Sequence, residues 1–118
     1  MPRHIESQIQ RACKKWFDYQ YGQFAPLLFA VPNGGLRGKV EAAIMKAEGM
    51  TAGVSDMILL VSRKGYSSLC IEFKTAKGRQ TQHQKDWQRI AEMHGNKYVI
   101  VRSFDDFIKA YLMEFGGE

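Results

Sequence analysis

The sequence predicts a single α/β domain. Stretches with apolar residues at helical spacing alternate with short runs of Ile, Leu, Val and Phe, and Gly, Pro or Asn punctuates the changes. The length of 118 residues suits one compact core and is too short for two. With 45% hydrophobic and 25% charged residues, the composition is that of a globular chain and not a disordered one.

Residues Pro2 to about Tyr21 read as a first helix. Ile5, Ile9, Ala12, Cys13 and Trp16 recur at helical spacing, and Gly22 provides a stop. Glu6 lies beside this apolar stripe, either as an exposed helix glutamate or as one reaching inward toward a metal. Arg11, Lys14 and Lys15 are expected on a solvated face. Pro26 to Val31, PLLFAV, reads as a strand, ended by Pro32-Asn33-Gly34-Gly35. That turn is either a plain connection or a place where backbone closely approaches a ligand, with Asn33 donating hydrogen bonds. Arg37 and Lys39 set positive charge beside it. A second helix is expected over Lys39 to Glu48, with Val40, Ala43, Ile44 and Ala47 as its stripe.

The stretch from Gly53 to Lys74 organises the rest. Two apolar runs, Met57 to Val61 and Leu69 to Phe73, flank Ser62-Arg63-Lys64-Gly65, which is the pattern of a β-hairpin. Asp56 precedes the first run, with Gly53 indicating tight backbone just ahead of it. Glu72 and Lys74 close the second run and share a strand face. Partners across such a hairpin have numbers summing to roughly 128 to 130, by antiparallel pairing through a short turn. An even sum places Asp56 on the face of Glu72 and Lys74, and the sequence predicts that register or a bulge of the same effect. The resulting cluster admits two readings. It is a hard-oxygen site for Mg²⁺ or Mn²⁺ with a lysine beside it, or it is a solvated ion pair at a strand end.

Thr75 to Gln80 forms a basic, glycine-containing loop with Lys77 and Arg79. A helix follows from about Thr81 to His94, its inner face marked by Trp87, Ile90, Ala91 and His94, with Gly95 as the C-terminal cap. Gln84 lies on that face and requires a polar partner. Lys97 to Val101, KYVIV, is a buried-strand pattern. Ser103 and Asp106 resemble a capping box that opens a last helix.

Charge, cysteines and motifs narrow the classes. Seventeen Lys and Arg against twelve Asp and Glu give a net charge of +5, which favours a polyanionic partner such as nucleic acid. Cys13 and Cys70 lack zinc-site spacing and read as buried, reduced thiols. No apolar run is long enough to span a membrane, and the polar opening MPRHIESQIQ has no signal-peptide core, so a cytoplasmic protein is expected. His4, His83 and His94 have no ligand spacing, and no phosphate-loop, hydrolase-elbow or paired C-x-x-C motif is present.

Taken in order, these residues resemble the PD-(D/E)XK nuclease superfamily, and its VRR-NUC branch in particular. The matching pieces are Glu6, the PNGG turn, GVSD at Gly53 to Asp56, EFK at Glu72 to Lys74, QKDW at Gln84 to Trp87, and YVIVRS at Tyr98 to Ser103. Ser55 stands where many members have proline. The resemblance implies a central mixed sheet of about four strands flanked by helices, and a metal-dependent DNA nuclease. It implies that Asp56, Glu72 and the backbone carbonyl of Phe73 bind Mg²⁺ or Mn²⁺, with Glu6 as an additional ligand or support. Lys74 then orients water or stabilises the transition state, and Gln84 holds the lysine, a water or a phosphate. Asn33, Gly34, Gly35, Arg37, Lys39, Lys77 and Arg79 are the expected DNA contacts. A stand-alone module of bacterial or phage type is expected to act as a homodimer on branched DNA such as four-way junctions. The alternatives are a non-catalytic DNA-binding module on the same fold and a sequence-specific restriction-type nuclease.

Overall fold

In the computed structural model, which describes residues 2–32 and 38–117, helix α1 spans Pro2–Gln20 and buries Cys13 and Phe17 completely. A 3₁₀ segment, Gly22–Leu27, leads into strand β1, Leu28–Ala30. The strand expected from Pro26 therefore starts two residues later. Proline fixes φ and offers no N–H to a ladder, and Lys14 supplies the competing bonds. Its ammonium donates to the carbonyls of Ala25 and Leu28, both at 2.7 Å, and pairs with Asp18 at 2.7 Å. Lys14 is thus a tether between α1 and this segment, while Arg11 and Lys15 remain exposed.

Helix α2, Lys39–Ala47, forms where the spacing predicts it but contains no buried residue. Val40 is 74% exposed and Ile44 52%. Its apolar stripe meets no core among the described residues. Asn33, Gly34, Gly35 and Arg37 lie outside the described residues.

Strands β2 (Met57–Leu59) and β3 (Leu69–Phe73) pair antiparallel, and β1 pairs antiparallel with β2. Helix α3, Gln82–Met93, carries the chain across to β4, Lys97–Val101, which lies parallel to β3. The sheet order is β1-β2-β3-β4. Helix α4, Phe104–Lys109, runs on as a π-helical segment, Ala110–Glu114. Its start is capped as expected: Ser103 Oγ accepts from the Asp106 N–H, and Asp106 reaches back to the N–H of Arg102.

The two sheet faces divide the labour. Met57, Leu59, Leu69, Ile71, Phe73, Val99 and Val101 are buried against Phe17, Phe107, Tyr111 and Phe115. The alternate residues Asp56, Ile58, Cys70, Glu72 and Tyr98 face the side flanked by α3. Both cysteines are buried and unbridged.

The hairpin turn shows how the register is made. Lys64 (φ 53°) and Gly65 (φ 83°) both have positive φ, as in a type I′ turn, and Arg63 pairs with Tyr66. That pairing has an odd sum. Between it and the Leu59–Leu69 pair stand three residues on the outgoing arm and two on the return. The extra residue shifts the ladder to the even sum that the sequence predicts. It also ends β2 at Leu59, short of the Val61 expected.

Gly53 ties this sheet to α3. Its φ is +87°, and a Cβ there would overlap the His83 carbonyl. Gly53→Ala is expected to cost about 2–3 kcal/mol through positive φ and displacement of the first turn of α3. Urea unfolding of the variant measures it, and a loss below about 0.5 kcal/mol would refute the close approach.

Candidate active site

Asp56 immediately precedes β2, and continuing the register of the two strands sets it opposite Glu72. The carbonyl of Asp56 accepts from the Val31 N–H at 2.8 Å on the β1 side. Asp56 and Glu72 therefore form a non-hydrogen-bonded pair, the position in which side chains come closest. Asp56 Oδ2 accepts from the backbone N–H of Phe73 at 2.7 Å. In a strand, N–H and C=O of one residue leave on the same side, so the Phe73 carbonyl is directed toward the same edge.

Glu72 is 2% exposed and held on both oxygens. Gln84 Nε2 donates to Oε2 at 3.0 Å, and the Tyr98 hydroxyl donates to Oε1 at 3.5 Å. Lys74 Nζ lies 3.7 Å from Oε2. Gln84 is itself fixed, because its Oε1 accepts from the Thr81 N–H in the capping box that opens α3. The polar partner that Gln84 requires is thus the carboxylate of Glu72.

Burial and mutual repulsion dominate the electrostatics. Loss of solvent pushes the Glu72 carboxyl up to about 8, with the charge of Asp56 adding to the rise and Lys74 opposing it. Glu6 adds a smaller upward push, so α1 brings its carboxylate within electrostatic reach. Asp56 is also raised, by desolvation first, and the Phe73 N–H, a hydrogen bond with Glu72 and the Lys74 charge moderate it.

A buried carboxylate, Glu72, and a half-buried one, Asp56, with one neighbouring ammonium form a site that a divalent cation would complete. No group of three or more His, Cys, Asp or Glu side chains gathers as a cage among the described residues. The donor set suits Mg²⁺ or Mn²⁺, ions held through one or two carboxylates with water and substrate phosphate filling the remainder. Asp56, Glu72 and the Phe73 carbonyl are the groups placed to hold it.

The structure brings Asp56, Glu72, Lys74, Phe73 and Gln84 together. Lys77 and Arg79 are exposed in the following loop, and Lys39 is exposed at the start of α2. Three contributors were not read from the sequence. Tyr98 shares the face of Glu72, a fact available only once β4 is aligned with β3. Gln80 donates to the Tyr98 hydroxyl at 3.3 Å. Arg102 donates to the carbonyls of Thr75 and Gly78, each at 2.7 Å, and so fixes the loop that displays Lys77 and Arg79.

An Asp and a Glu-x-Lys at the neighbouring ends of two adjacent strands of a helix-flanked mixed sheet form the nuclease type of site. The VRR-NUC domain matches residues 5–105 of this chain, which belongs to that family, a nuclease-type one. A solved structure described as a VRR_NUC domain protein superposes with a TM-score of 0.80 at 24% sequence identity. The superposition covers 95% of this chain and 90% of the other, and at that identity it establishes the fold. Comparison with curated proteins finds no match.

The raised carboxyls have a consequence for stability. Their protons are bound more tightly in the folded chain than in the unfolded one, so the associated stability is complete below the unfolded value of 4.5 for Glu72. It is lost as pH rises toward about 8. In EDTA, Tm is expected to fall across this window, and Glu72→Gln should flatten the slope. Added Mn²⁺ should restore Tm at the upper end. A flat profile for the parent protein would contradict the desolvated carboxylates.

Proposed function

We propose that this protein is a divalent-metal-dependent endonuclease that hydrolyses DNA phosphodiesters, acting as a homodimer on branched DNA such as four-way junctions. The observation that carries the reading is the convergence of Asp56, Glu72 and Lys74 on one sheet face, with Glu72 almost fully buried. A Mg²⁺ or Mn²⁺ ion held by Asp56, Glu72 and the Phe73 carbonyl would polarise the phosphoryl oxygen and make water more acidic. Lys74 orients the attacking water in line with the leaving oxygen and offsets negative charge developing on the phosphoryl group. The water oxygen bonds to phosphorus and gives its proton to solvent as the phosphorus–oxygen bond to the leaving nucleotide breaks, and the departing oxygen takes up a proton from solvent. Gln84 and Tyr98 hold Glu72 in one orientation throughout, which limits reorganisation during the reaction.

The net charge of +5 and the exposed Lys77 and Arg79 support a DNA substrate. The apolar stripe of α2, which no described element covers, supports association with a second copy. Two centres related by a twofold axis suit a symmetric branched substrate.

Asp56→Asn, Glu72→Gln and Lys74→Ala are each expected to lower Mg²⁺- or Mn²⁺-dependent cleavage by about 10²–10³-fold while DNA binding persists. Linear, flapped and four-way substrates incubated with metal or EDTA provide the measurement, and undiminished cut products in EDTA would sink the mechanism. A monomer in sedimentation velocity, with equal rates on junction and linear duplex, would remove the dimer and branched-substrate part.

Lys77→Ala and Arg79→Ala are expected to weaken binding evenly across sequences, each lowering the salt slope by about 1. An unchanged slope would take these two side chains off the phosphates.

A further inference from the structure

The sheet face that carries the carboxylates continues into an open groove. Ile58 stands two residues beyond Asp56 and Cys70 two residues before Glu72, so both share that face, about 7 Å along their strands. Together with Leu60, Trp87 and Ile90 they line a concavity of about 470 Å³ beside α3. Leu60 is 54% exposed and Ile90 51%. Open apolar surface beside a charged centre indicates a binding role more than a packing one.

We propose that this groove receives an unpaired nucleobase of the strand whose phosphodiester lies at Asp56 and Glu72, a placement that rests on the nuclease reading above. Four features favour that occupant. The groove joins the carboxylate site along the same two strands, so a chain held at the carboxylates passes its mouth. Trp87 offers an aromatic wall on which any base can stack, and Tyr98 backs that ring with centroids 6.2 Å apart. Ser67 and His94 also line the groove and supply polar atoms for a base edge. No acidic residue lines it among the described residues, so an anionic strand meets no carboxylate there, although α3 carries Asp86 and Glu92 as well as Lys85 and Arg89 on its exposed side. A base inside a duplex cannot enter a concavity without leaving its stack, so single-stranded or branch-point nucleotides are selected.

The test is a binding titration in EDTA with flapped, four-way and fully paired linear DNA carrying 2-aminopurine at successive positions. The expected result is a fluorescence change confined to one or two unpaired positions. Trp87→Ala, and separately the surface pair Leu60→Ser with Ile90→Ser, should abolish that change and weaken binding of unpaired DNA about tenfold. Binding of linear duplex should be unaltered. Should Trp87→Ala unfold, the surface pair carries the test, because both of its side chains are more than half exposed. Equal losses on paired and unpaired DNA, or no loss, would overturn the proposal. So would conversion of a dimer to a monomer by the surface pair, which would make the groove a contact between copies. Cleavage dependent on Asp56 without any fluorescence change removes this inference alone. Intact fluorescence changes without metal-dependent cleavage remove the nuclease reading and leave the groove a base-binding site.

Discussion

The parity of one hairpin register governs this molecule. Side chains alternate across a strand, so a slip of one residue would carry Asp56 from the face of Glu72 to the opposite face, among Met57, Leu59 and Ile71. The Lys64–Gly65 turn on its own dictates the wrong parity, because it pairs Arg63 with Tyr66. One surplus residue among Leu60, Val61 and Ser62 corrects it. Leu60 is left more than half exposed, while Val61 turns back into the core. A local irregularity thus decides whether the two carboxylates meet.

Once they meet, the remainder of the fold keeps them from relaxing apart. Two carboxylates in a desolvated setting repel each other, and desolvation pushes both carboxyls above their ordinary range, with the Asp56 charge adding to the rise at Glu72. The donors that steady them come from separate elements: the Phe73 N–H from β3, Gln84 from α3 and Tyr98 from β4. Gln84 also caps its own helix, and Gly53 lets the backbone ahead of Asp56 lie against the same helical turn. Moving α3 would disturb Asp56 and Glu72 together. Such a centre is preorganised by elements distant in sequence, which is how buried polar groups stay in one geometry.

That division explains what was legible in the sequence. The hairpin, the even register, the D…ExK face and the cap at Ser103 rest on local rules of alternation and hydrogen-bond satisfaction, and the structure follows them. Family resemblance added the site roles. What escaped depends on contacts between remote segments. Lys14 looks like any charged helix residue until the carbonyls of Ala25 and Leu28 arrive beside it. Pro26 and Leu27 are apolar enough for a strand, yet their backbone is claimed by a 3₁₀ turn. The stripe on α2 has core-like spacing, and periodicity alone does not reveal that no described element covers it. Ile90 and His94 likewise sit on an open groove and not in a sealed core.

Strand β4 shows why the parallel crossover matters to the chemistry and not only to packing. Aligned with β3, it places Tyr98 two pairs before Ile100, the partner of Glu72, on the face where its hydroxyl reaches that carboxylate. The same strand then passes directly into Arg102, whose guanidinium gathers the carbonyls of Thr75 and Gly78. The loop so held begins one residue after Lys74, whose own N–H donates to Val101 at 3.0 Å. Lys74 and the basic loop beyond it are consequently both tied by hydrogen bonds to one strand and the residue that follows it. Both of these bonds leave one guanidinium nitrogen, Nη1, whose N–H groups are fixed in the guanidinium plane, a directionality that the freely rotating ammonium of a lysine at position 102 would lack. The spacing between the carboxylate centre and the exposed Lys77 and Arg79 is therefore a property of β4, set by its register with β3 rather than by the flexibility of the loop.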